Sequence, residues 1–561
     1  MKRTRTMTLI ALSLLLTGAA RAQTADPAGT VTFVTTADPT FNPWSPNAFV
    51  ESNLINELLF PGLTRWDKDL KPAPDLATSW KASSDGLKWT FNLRKNVKWS
   101  DGQPFTADDV AFTFNDLVLK KELGANGGST WRNAVTKVNV VNPTTVEFIL
   151  SRPWASLPTY LAYFAGILPK HSFAGVTDPW KFTAFNKQNP VSSGPFKISQ
   201  VVSGATVRMV RNDNYWGAKS KLQGVTFKVV PDSNAQLAQL LSGDVDLIGI
   251  GNPETVDRIK SSPNLAVDIS TANIYYFVAL NQDDPRFQDA RVRQALLYAI
   301  NRPAMISSVL KGYGQVATGP IAPIQKSYYT ANVQQYPYDP AKAKALLAEA
   351  GWKPGPDGTL MKDGKPFVIS MPTASYEQLV PISLLVQQYW KDIGVKADLK
   401  TMDWNSYIQQ VIVKRDYQAS AAWWSTPADP DVLPYYDSSA ANVGNNIPNY
   451  KNPKLDALLE SGRKASSTLA RKRIYNDAQA LMAKELPYLY LWYPQSITAY
   501  NKPLHGMRTI TQAADSQNAN EWYDTKYPDG AHHGAPARVH EVLRCWFFWF
   551  AASGRARSSS S

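Results

Sequence analysis

Residues 91–114, FNLRKNVKWSDGQPFTADDVAFTF, carry the signals for a strand, a turn and a helix in direct succession. Apolar Phe91 and Leu93 alternate with polar neighbours, and a period of two is typical of a strand with one buried face. An Asp-Gly pair follows and marks a turn. Thr106 and Asp109 then have the spacing of a capping box, in which side chains satisfy free N–H groups at the start of a helix. We therefore predict a strand, a turn and a capped helix.

Strand-type and helix-type patterns keep alternating outward from this stretch. Residues 233–250 predict a helix that stops at Gly243 and a buried strand that starts near Val245. Asp339 is placed to cap another helix, with Pro340 in its first turn. A third predicted helix carries one apolar face, formed by Val292, Ala295, Leu296, Ala299 and Ile300. Strands interleaved with helices over this length predict α/β domains.

The N-terminus has the three parts of a secretory signal peptide, residues 1–22. A basic start is followed by a largely apolar run of ten residues from Met7 to Leu16 and by the small-residue cleavage site Ala20-Arg21-Ala22. Ten residues are too few for a membrane anchor, which needs about 20. No cysteine follows the cleavage site to carry a lipid. We expect a periplasmic protein without a lipid anchor.

Composition excludes several classes of protein. The only cysteine is Cys545, so no disulfide can form within one chain. The formal charge of +13 lies partly in the signal peptide and in the Arg-rich end, and no Lys/Arg run is interleaved with aromatic residues, which argues against nucleic-acid binding. Residues 531–561 differ in composition from the rest, and we predict a disordered or read-through tail. The alternative is a short segment that binds a membrane surface or a partner.

Sequence motifs for catalysis are nearly absent. The chain lacks Gly-x-Ser-x-Gly, His-Glu-x-x-His, Cys-x-x-Cys and the phosphate-binding Gly-x4-Gly-Lys pattern. Ser308 and Lys311 have a Ser-x-x-Lys spacing, but the accompanying Lys-Thr-Gly motif is missing. Before the tail the mature chain has only His171 and His505, too few for a histidine-built metal site. This pattern favours a binding protein without cofactor or metal over an enzyme.

Four blocks of sequence resemble one known family, the extracellular solute-binding proteins of ABC importers in the oligopeptide/dipeptide class called family 5. The blocks are residues 91–114, SSGPFKISQVVSGATVRMVRNDNYWG (192–217), AQLLSGDVDLI (238–248) and FQDARVRQALLYAINRPAMI (287–306). The resemblance covers roughly residues 30 to 525, nearly the whole mature chain.

The resemblance implies an α/β fold, a two-lobed clamshell that closes on its ligand, with an extra domain packed on the first lobe. The implied divisions are lobe I at 23–66, 190–280 and 487–530, the extra domain at 67–189, and lobe II at 281–486. The two hinge crossings would lie near residues 275–281 and 485–494.

Residues 422–436, AWWSTPADPDVLPYY, would then face the cleft. Family members that hold peptides often carry Trp-x-x-Asp-x-x-Asp-Pro-Asp here, and the first Asp pairs with the ammonium group of the peptide. In this chain that position is Thr426. Either another carboxylate neutralises the ammonium, or the ligand has none, as an oligosaccharide or another amphipathic solute would.

The candidate ligand-contacting residues come from three regions. They are Asn42, Trp44, Tyr275, Tyr276, Asn281, Trp423, Trp424, Ser425, Thr426 and Asp429. Each also has a structural interpretation: strand alternation would send the two tryptophans to opposite faces, the Tyr-Tyr pair fits a buried strand, and Asp429 could cap a turn.

The resemblance implies short peptides as ligands and, as partners of a monomeric binding protein, an ABC permease with cytosolic ATPases. The alternatives are a non-peptide solute in the same fold, including a metal chelate held through its organic ligand, and a chaperone-like role. A secreted hydrolase using Ser308 is the remote alternative.

Overall fold

The computed structural model describes residues 29–525 except 49, 68, 164, 377, 427, 442–444 and 507–520. The predicted signal peptide and the predicted C-terminal tail lie outside the described residues. Within the described part of the chain, no helix combines the length and the apolar character needed to cross a membrane.

The described strands are short except for β21, which has 14 residues. They are β1 Thr30–Thr35, β2 Thr64–Trp66, β3 Pro72–Pro74, β4 Ala77–Ala82, β5 Lys88–Leu93, β6 Val135–Asn142, β7 Thr145–Leu150, β8 Phe196–Val202, β9 Thr206–Arg211, β10 Gly224–Val229, β11 Leu247–Gly249, β12 Leu265–Thr271, β13 Ile274–Leu280, β14 Gly314–Val316, β15 Lys353–Pro354, β16 Leu360–Lys362, β17 Lys365–Pro366, β18 Val368–Ala374, β19 Lys396–Met402, β20 Ala419–Ser425, β21 Tyr488–Asn501, β22 Leu504–His505 and β23 Tyr523–Asp524.

The α-helices separate these strands along the chain. They are α1 Val50–Leu59, α2 Ala107–Phe112, α3 Gly128–Arg132, α4 Leu157–Leu161, α5 Ser233–Ser242, α6 Val256–Lys260, α7 Ala290–Tyr298, α8 Arg302–Leu310, α9 Pro340–Glu349, α10 Leu379–Lys391, α11 Trp404–Tyr407, α12 Leu433–Tyr436, α13 Pro453–Lys464 and α14 Thr468–Glu485.

Ten of the described strands form one sheet. Its main path runs β20-β13-β21-β11-β1-β10-β9-β8, and β12 and β14 also pair with β21. The first half of β21 pairs with β13 and β14, and its second half pairs with β11 and β12. One strand of 14 residues therefore connects two parts of the molecule.

The apolar core falls into two large clusters. One draws on residues 31–227 together with Leu504 and Trp522. The other draws on residues 272–493, and the boundary between the clusters falls within β21. A four-stranded sheet, β4-β5-β7-β6, belongs to the first cluster and lies within the predicted extra domain. The division into lobe I, lobe II and an extra domain stays a prediction.

The local predictions from the sequence are confirmed at the level of strands and helices. In the first stretch, β5 is followed by α2, and the Asp109 carboxylate accepts a hydrogen bond from the Thr106 N–H at 2.8 Å. Gly243 ends α5 with a positive φ of 83°, and the Asp339 side chain caps α9. The five apolar residues predicted to form one helix face, which lie in α7 and directly after it, are all buried. The α/β character of the chain is therefore confirmed.

Candidate functional site

The two adjacent tryptophans lie near the end of β20 and point to opposite faces of the sheet. In the antiparallel register with β13, Trp423 lies opposite Tyr276 and Trp424 lies opposite Tyr275. The Trp423 ring stacks on Tyr376 and Trp404, with ring centroids 5.0 and 5.4 Å away. On this face the indole is a member of an aromatic stack, and part of it stays exposed.

The other face, with Trp424, packs on tyrosines of the second core. Trp424 Nε1 donates to the Tyr488 hydroxyl at 3.3 Å, and its ring lies 5.1 Å from that of Tyr435. The Tyr435 hydroxyl donates to the Ser425 carbonyl at 3.2 Å. Ser425 Oγ lies 3.5 Å from the hydroxyl of Tyr163, which belongs to the other core region. Ser425 therefore lies at the junction between the two parts of the molecule, and Trp424 is its neighbour on the opposite face of β20.

The polar groups at the first predicted hinge crossing are used internally. The Tyr275 side chain is fully buried, and its hydroxyl is 3.4 Å from that of Tyr436. Burial raises the pKa of Tyr275 well above its ordinary value. Asn281 Nδ2 donates to the carbonyls of Arg415 and Tyr417 at 3.0 and 3.1 Å. These contacts tie strands together, so we leave both residues out of the proposed ligand site.

Asn42 and Trp44 have structural contacts within the first core. Asn42 is fully buried and donates to Asn186 Oδ1 at 3.2 Å, while its own Oδ1 accepts from the Trp44 N–H. Trp44 Nε1 donates to the Gly166 carbonyl at 2.8 Å, and its ring packs edge-on against Phe114. Both side chains are hydrogen-bonded within the first core, and their role in lining a cleft stays a prediction.

Thr426 is buried directly after β20. Its N–H donates to the Asn273 carbonyl at 3.2 Å, and its carbonyl accepts from Asn273 Nδ2 at 2.6 Å. The Thr426 hydroxyl has no hydrogen-bond partner among the described residues. A backbone clamp therefore holds this residue, and its side chain makes no polar contact in the described chain.

Thr426→Val is expected to raise the free energy of unfolding by up to about 1 kcal/mol, because it replaces an unpaired buried hydroxyl by a methyl group of the same shape. Urea denaturation of the two proteins measures the difference. Thr426→Ser is the control: it keeps the hydroxyl, loses a methyl group and should destabilise. A Val variant less stable than wild type by more than about 1 kcal/mol would show that the hydroxyl is hydrogen-bonded in solution.

Asp429 and Asp431 each form a buried ion pair. Asp429 Oδ1 lies 2.6 Å from Arg471 Nη2, and both side chains are less than one-tenth exposed. Asp431 Oδ2 lies 2.9 Å from Arg463 Nε, with both side chains at most 1% exposed. The Asp429 carboxylate is therefore paired with Arg471 in this structure, and its contact with a ligand stays a prediction.

Asp431 also joins the two parts of the molecule. Its carboxylate accepts hydrogen bonds from Trp154 Nε1 at 2.9 Å and from Ser156 Oγ at 3.1 Å. The Tyr160 hydroxyl donates to the Asp431 carbonyl at 3.1 Å. Nearby, Arg152 pairs with Glu460 at 2.8 Å. The segment 152–163 thus docks on the second core through buried polar contacts.

A small cavity of about 40 Å³ lies behind this docking segment, between α1 and residues 161–166. Gly62 and Gly166 permit this packing, because a Cβ at Gly62 would lie 2.5 Å from the Leu161 carbonyl oxygen. The polar residues at its wall are Asn53, Asn56, Glu57, Asp75 and Tyr215. Burial raises the pKa of Asp75 to about 7, against the weaker opposing effect of Arg65 and Arg94.

The positions of the potential metal-ligating side chains give no evidence for a metal centre in the described part of the chain. Across residues 29–525, leaving aside the undescribed positions, no three His, Cys, Asp or Glu side chains are grouped so that they could hold a metal ion.

A profile of the bacterial extracellular solute-binding proteins, family 5, matches residues 71–446. The chain belongs to this family. The oligopeptide-binding protein AppA of Bacillus subtilis is 31% identical over 477 residues, which cover 84% of this chain and 87% of AppA. The dipeptide-binding protein of Escherichia coli is 29% identical over 457 residues, 77% of this chain and 83% of that protein.

Solved structures of family 5 proteins have the same fold. AppA from Bacillus subtilis in complex with a nonapeptide matches with a TM-score of 0.77 at 30% identity, covering 88% of this chain and 99% of that chain. NikZ from Campylobacter jejuni in complex with Ni(L-His) matches with a TM-score of 0.76 at 27% identity, covering 89% and 100%. The predicted family and fold class are confirmed. The family is one of extracellular solute-binding proteins, not of enzymes.

Sequence reasoning missed the polar wall of the cavity in this family 5 protein. Asn56 and Glu57 lie within an ordinary helix pattern, and Asp75 follows two prolines in a loop. The one available signal was a polar Asn-Glu pair in the middle of the apolar stretch LINELLF, residues 54–60. Only the fold brings Asp75 to the same cavity.

Proposed function

We propose that this protein is the periplasmic solute-binding component of an ABC importer and that it captures short peptides between its two lobes. The similarity to the oligopeptide-binding protein AppA carries the proposal, because it extends over 84% of this chain and 87% of AppA. The ligand would lie at the junction formed by Ser425 and Tyr163. Peptide recognition in such a site relies on hydrogen bonds to the peptide backbone and on bridging water.

The lobe boundaries belong to the same proposal. β13 and β21 would be the two hinge crossings, since β21 pairs with strands of both parts of the molecule. Closure would bring segment 152–163 against the second lobe, and the closed form would signal loading to the permease. We propose a monomer that is exported through its signal peptide, carries no lipid anchor and has no catalytic activity of its own. Its partners would be the permease subunits and, through them, the cytosolic ATPases.

The test is native mass spectrometry of the protein purified gently from a periplasmic extract, followed by denaturation and identification of the released molecules. We expect a series of short peptides. A single non-peptide mass would overturn the peptide assignment and favour the solute alternative, with Trp423 and Trp424 as the first residues to substitute. An empty protein that also ignores peptide, sugar and metal-chelate libraries would overturn the binding function.

Ser425→Arg is expected to lower the amount of co-purified ligand at least tenfold, because a long cationic side chain at the junction with Tyr163 would prevent closure. Native mass spectrometry of the variant measures the bound fraction. Ser308→Arg is the matched control, since Ser308 lies on the exposed side of α8 and makes only a local contact to Met305. Equal loading of Ser425→Arg and wild type would contradict a ligand site at this junction.

A further inference from the structure

The cavity between α1 and residues 161–166 has acidic groups at its wall, together with the Asn53 amide and the Tyr215 hydroxyl, which can donate as well as accept. Two carboxylates, Glu57 and Asp75, and the amide of Asn56 are at its wall. Among the described residues that line it, none is a lysine, an arginine or a histidine. A hydrogen-bond donor complements the two carboxylates, and a cationic donor fits them best.

Asn56 is the first sign that the wall is made for a ligand. The residue is 4% exposed, and its Nδ2 donates to the Thr40 carbonyl at 3.1 Å, which fixes the orientation of the amide. Its Oδ1 has no hydrogen-bond partner in the described part of the chain. A buried amide oxygen without a donor is rare because it costs free energy, so a bound N–H group is the natural partner.

Asp75 is the second sign. Its backbone is held at both ends, since its N–H donates to the Leu63 carbonyl at 3.3 Å and its carbonyl accepts from Arg94 Nε at 2.6 Å. The Arg94 guanidinium itself lies over the Trp216 ring, 4.3 Å from the centroid. Within the described residues, the Asp75 carboxylate has no ion pair, although the residue is only 8% exposed. The backbone thus holds in place a buried carboxyl group that forms no direct ion pair, although Arg65 and Arg94 are near enough to lower its pKa.

The cavity wall contacts the second lobe on both sides of Thr426. Tyr163, in the wall segment, reaches Ser425, and Ala162 packs in a small apolar cluster with Trp66, against which Ala428 also packs. Thr426 is the position at which the family pattern has its ammonium-binding Asp. The segment that forms one wall of the acidic cavity therefore contacts the residues on either side of that position, from the opposite side of the junction.

We propose that this cavity binds the ammonium group of a peptide ligand, with Asp75, Glu57 and Asn56 as the accepting side chains. The inference rests on the proposed peptide-binding function. It supplies, from the first lobe, the negative charge that Thr426 does not supply from the second. A charge-assisted hydrogen bond in a water-poor cavity is strong and directional, which suits the anchoring of one end of a peptide.

The experiment measures peptide retention by wild type, Asp75→Asn and Asp213→Asn. Each protein is incubated with a tryptic digest of casein, either untreated or acetylated at all amines, and retained peptides are identified by mass spectrometry after gel filtration. Asp213→Asn is the control for net charge, because that side chain is 77% exposed. Circular dichroism and a denaturation curve establish that each variant is folded.

We expect wild type and Asp213→Asn to retain untreated peptides at least tenfold better than acetylated ones. Asp75→Asn should retain at least tenfold less of the untreated digest. Retained peptides without lysine would assign the site to the N-terminal ammonium, and retention confined to lysine-containing peptides would assign it to the lysine side chain; both results support an ammonium site. Equal retention of the two digests by wild type, or equal retention by wild type and Asp75→Asn, would overturn the inference and leave the peptide-binding function standing. No retention of either digest by wild type would overturn the peptide-binding function itself.

Discussion

Asp431→Asn is expected to lower the free energy of unfolding by about 3–5 kcal/mol, the usual cost of leaving a buried charge without its partner. The charge left behind is that of Arg463, whose side chain is 1% exposed. The asparagine also has only one acceptor oxygen, whereas Asp431 accepts from Trp154, Ser156 and Arg463 together. Urea denaturation followed by tryptophan fluorescence measures the loss.

Asp477→Asn is the matched control for this prediction, because Asp477 lies exposed on α14, which packs against α13 beside Arg463. Its effect should stay within about 0.5 kcal/mol, as for most surface substitutions. The double variant Asp431→Leu/Arg463→Met should recover much of the loss, since two apolar side chains leave no unpaired charge. A loss below about 1 kcal/mol for Asp431→Asn would show that Arg463 reaches water or another carboxylate in solution.

The same substitution should weaken closure of the lobes. Two of the donors to Asp431, Trp154 and Ser156, come from the segment that docks from the first core. Small-angle scattering with ligand present should therefore show a larger radius of gyration for Asp431→Asn than for Asp477→Asn. A scattering profile identical to that of wild type would confine the role of Asp431 to the stability of the second core.

Asp75→Asn is expected to stabilise the protein at pH 8 by up to about 4 kcal/mol and to leave its stability unchanged near pH 4. Burial raises the pKa of Asp75 from 3.8 to about 7 in the folded protein, and this difference corresponds to about 4 kcal/mol. A carboxyl whose pKa is raised on folding holds its proton more tightly in the folded state. The stability of wild type therefore falls as the pH rises from about 4 to about 7, and the penalty is complete above that range.

The asparagine variant has no such titration, so its advantage should grow over the same pH window. Urea denaturation at pH 4, 6 and 8 tests this directly. The charged groups around Asp75 are Arg65 and Arg94, which oppose the shift, with Glu57 and Tyr215 at the same cavity wall. An advantage that does not depend on pH would mean that Asp75 does not titrate in this range. An Asn variant less stable at pH 8 would mean that a cation neutralises the carboxylate in the folded protein.

The Asp75 prediction also bears on ligand binding. The ionised Asp75 carboxylate lowers the stability of the free protein. A cationic ligand group bound beside it would stabilise this ionised form. Loss of peptide retention in a variant that is more stable than wild type cannot be ascribed to misfolding. The pH dependence of stability therefore shows whether a loss of peptide retention by Asp75→Asn reflects binding and not folding.

Features that depend on near neighbours in the chain could be predicted from the sequence. The Thr106–Asp109 capping box, the Asp339 cap and the Gly243 stop involve residues within a few positions of one another. The alternation of Trp423 and Trp424 follows from strand geometry alone. The family could also be inferred, because its sequence blocks are strand-and-helix segments that keep their local pattern.

The contacts that decide the site join residues far apart in the chain. Trp154 and Asp431 are 277 positions apart, and Asn42 and Asn186 are 144 apart. Whether a polar side chain faces a ligand or pairs with an arginine depends on which segment the fold brings beside it. The Asp-Pro-Asp motif illustrates this point: both of its carboxylates are neutralised by arginines from α13 and α14.

The sequence by itself thus determined the α/β elements, the family and the missing carboxylate at Thr426. The tertiary structure alone decided that Asn42 and Trp44 belong to the core, that Asp429 is neutralised, and that Asn56, Glu57 and Asp75 share one cavity. The physical reason is range: caps and periodicity act over a few residues, whereas burial and charge pairing are set by packing between segments hundreds of residues apart.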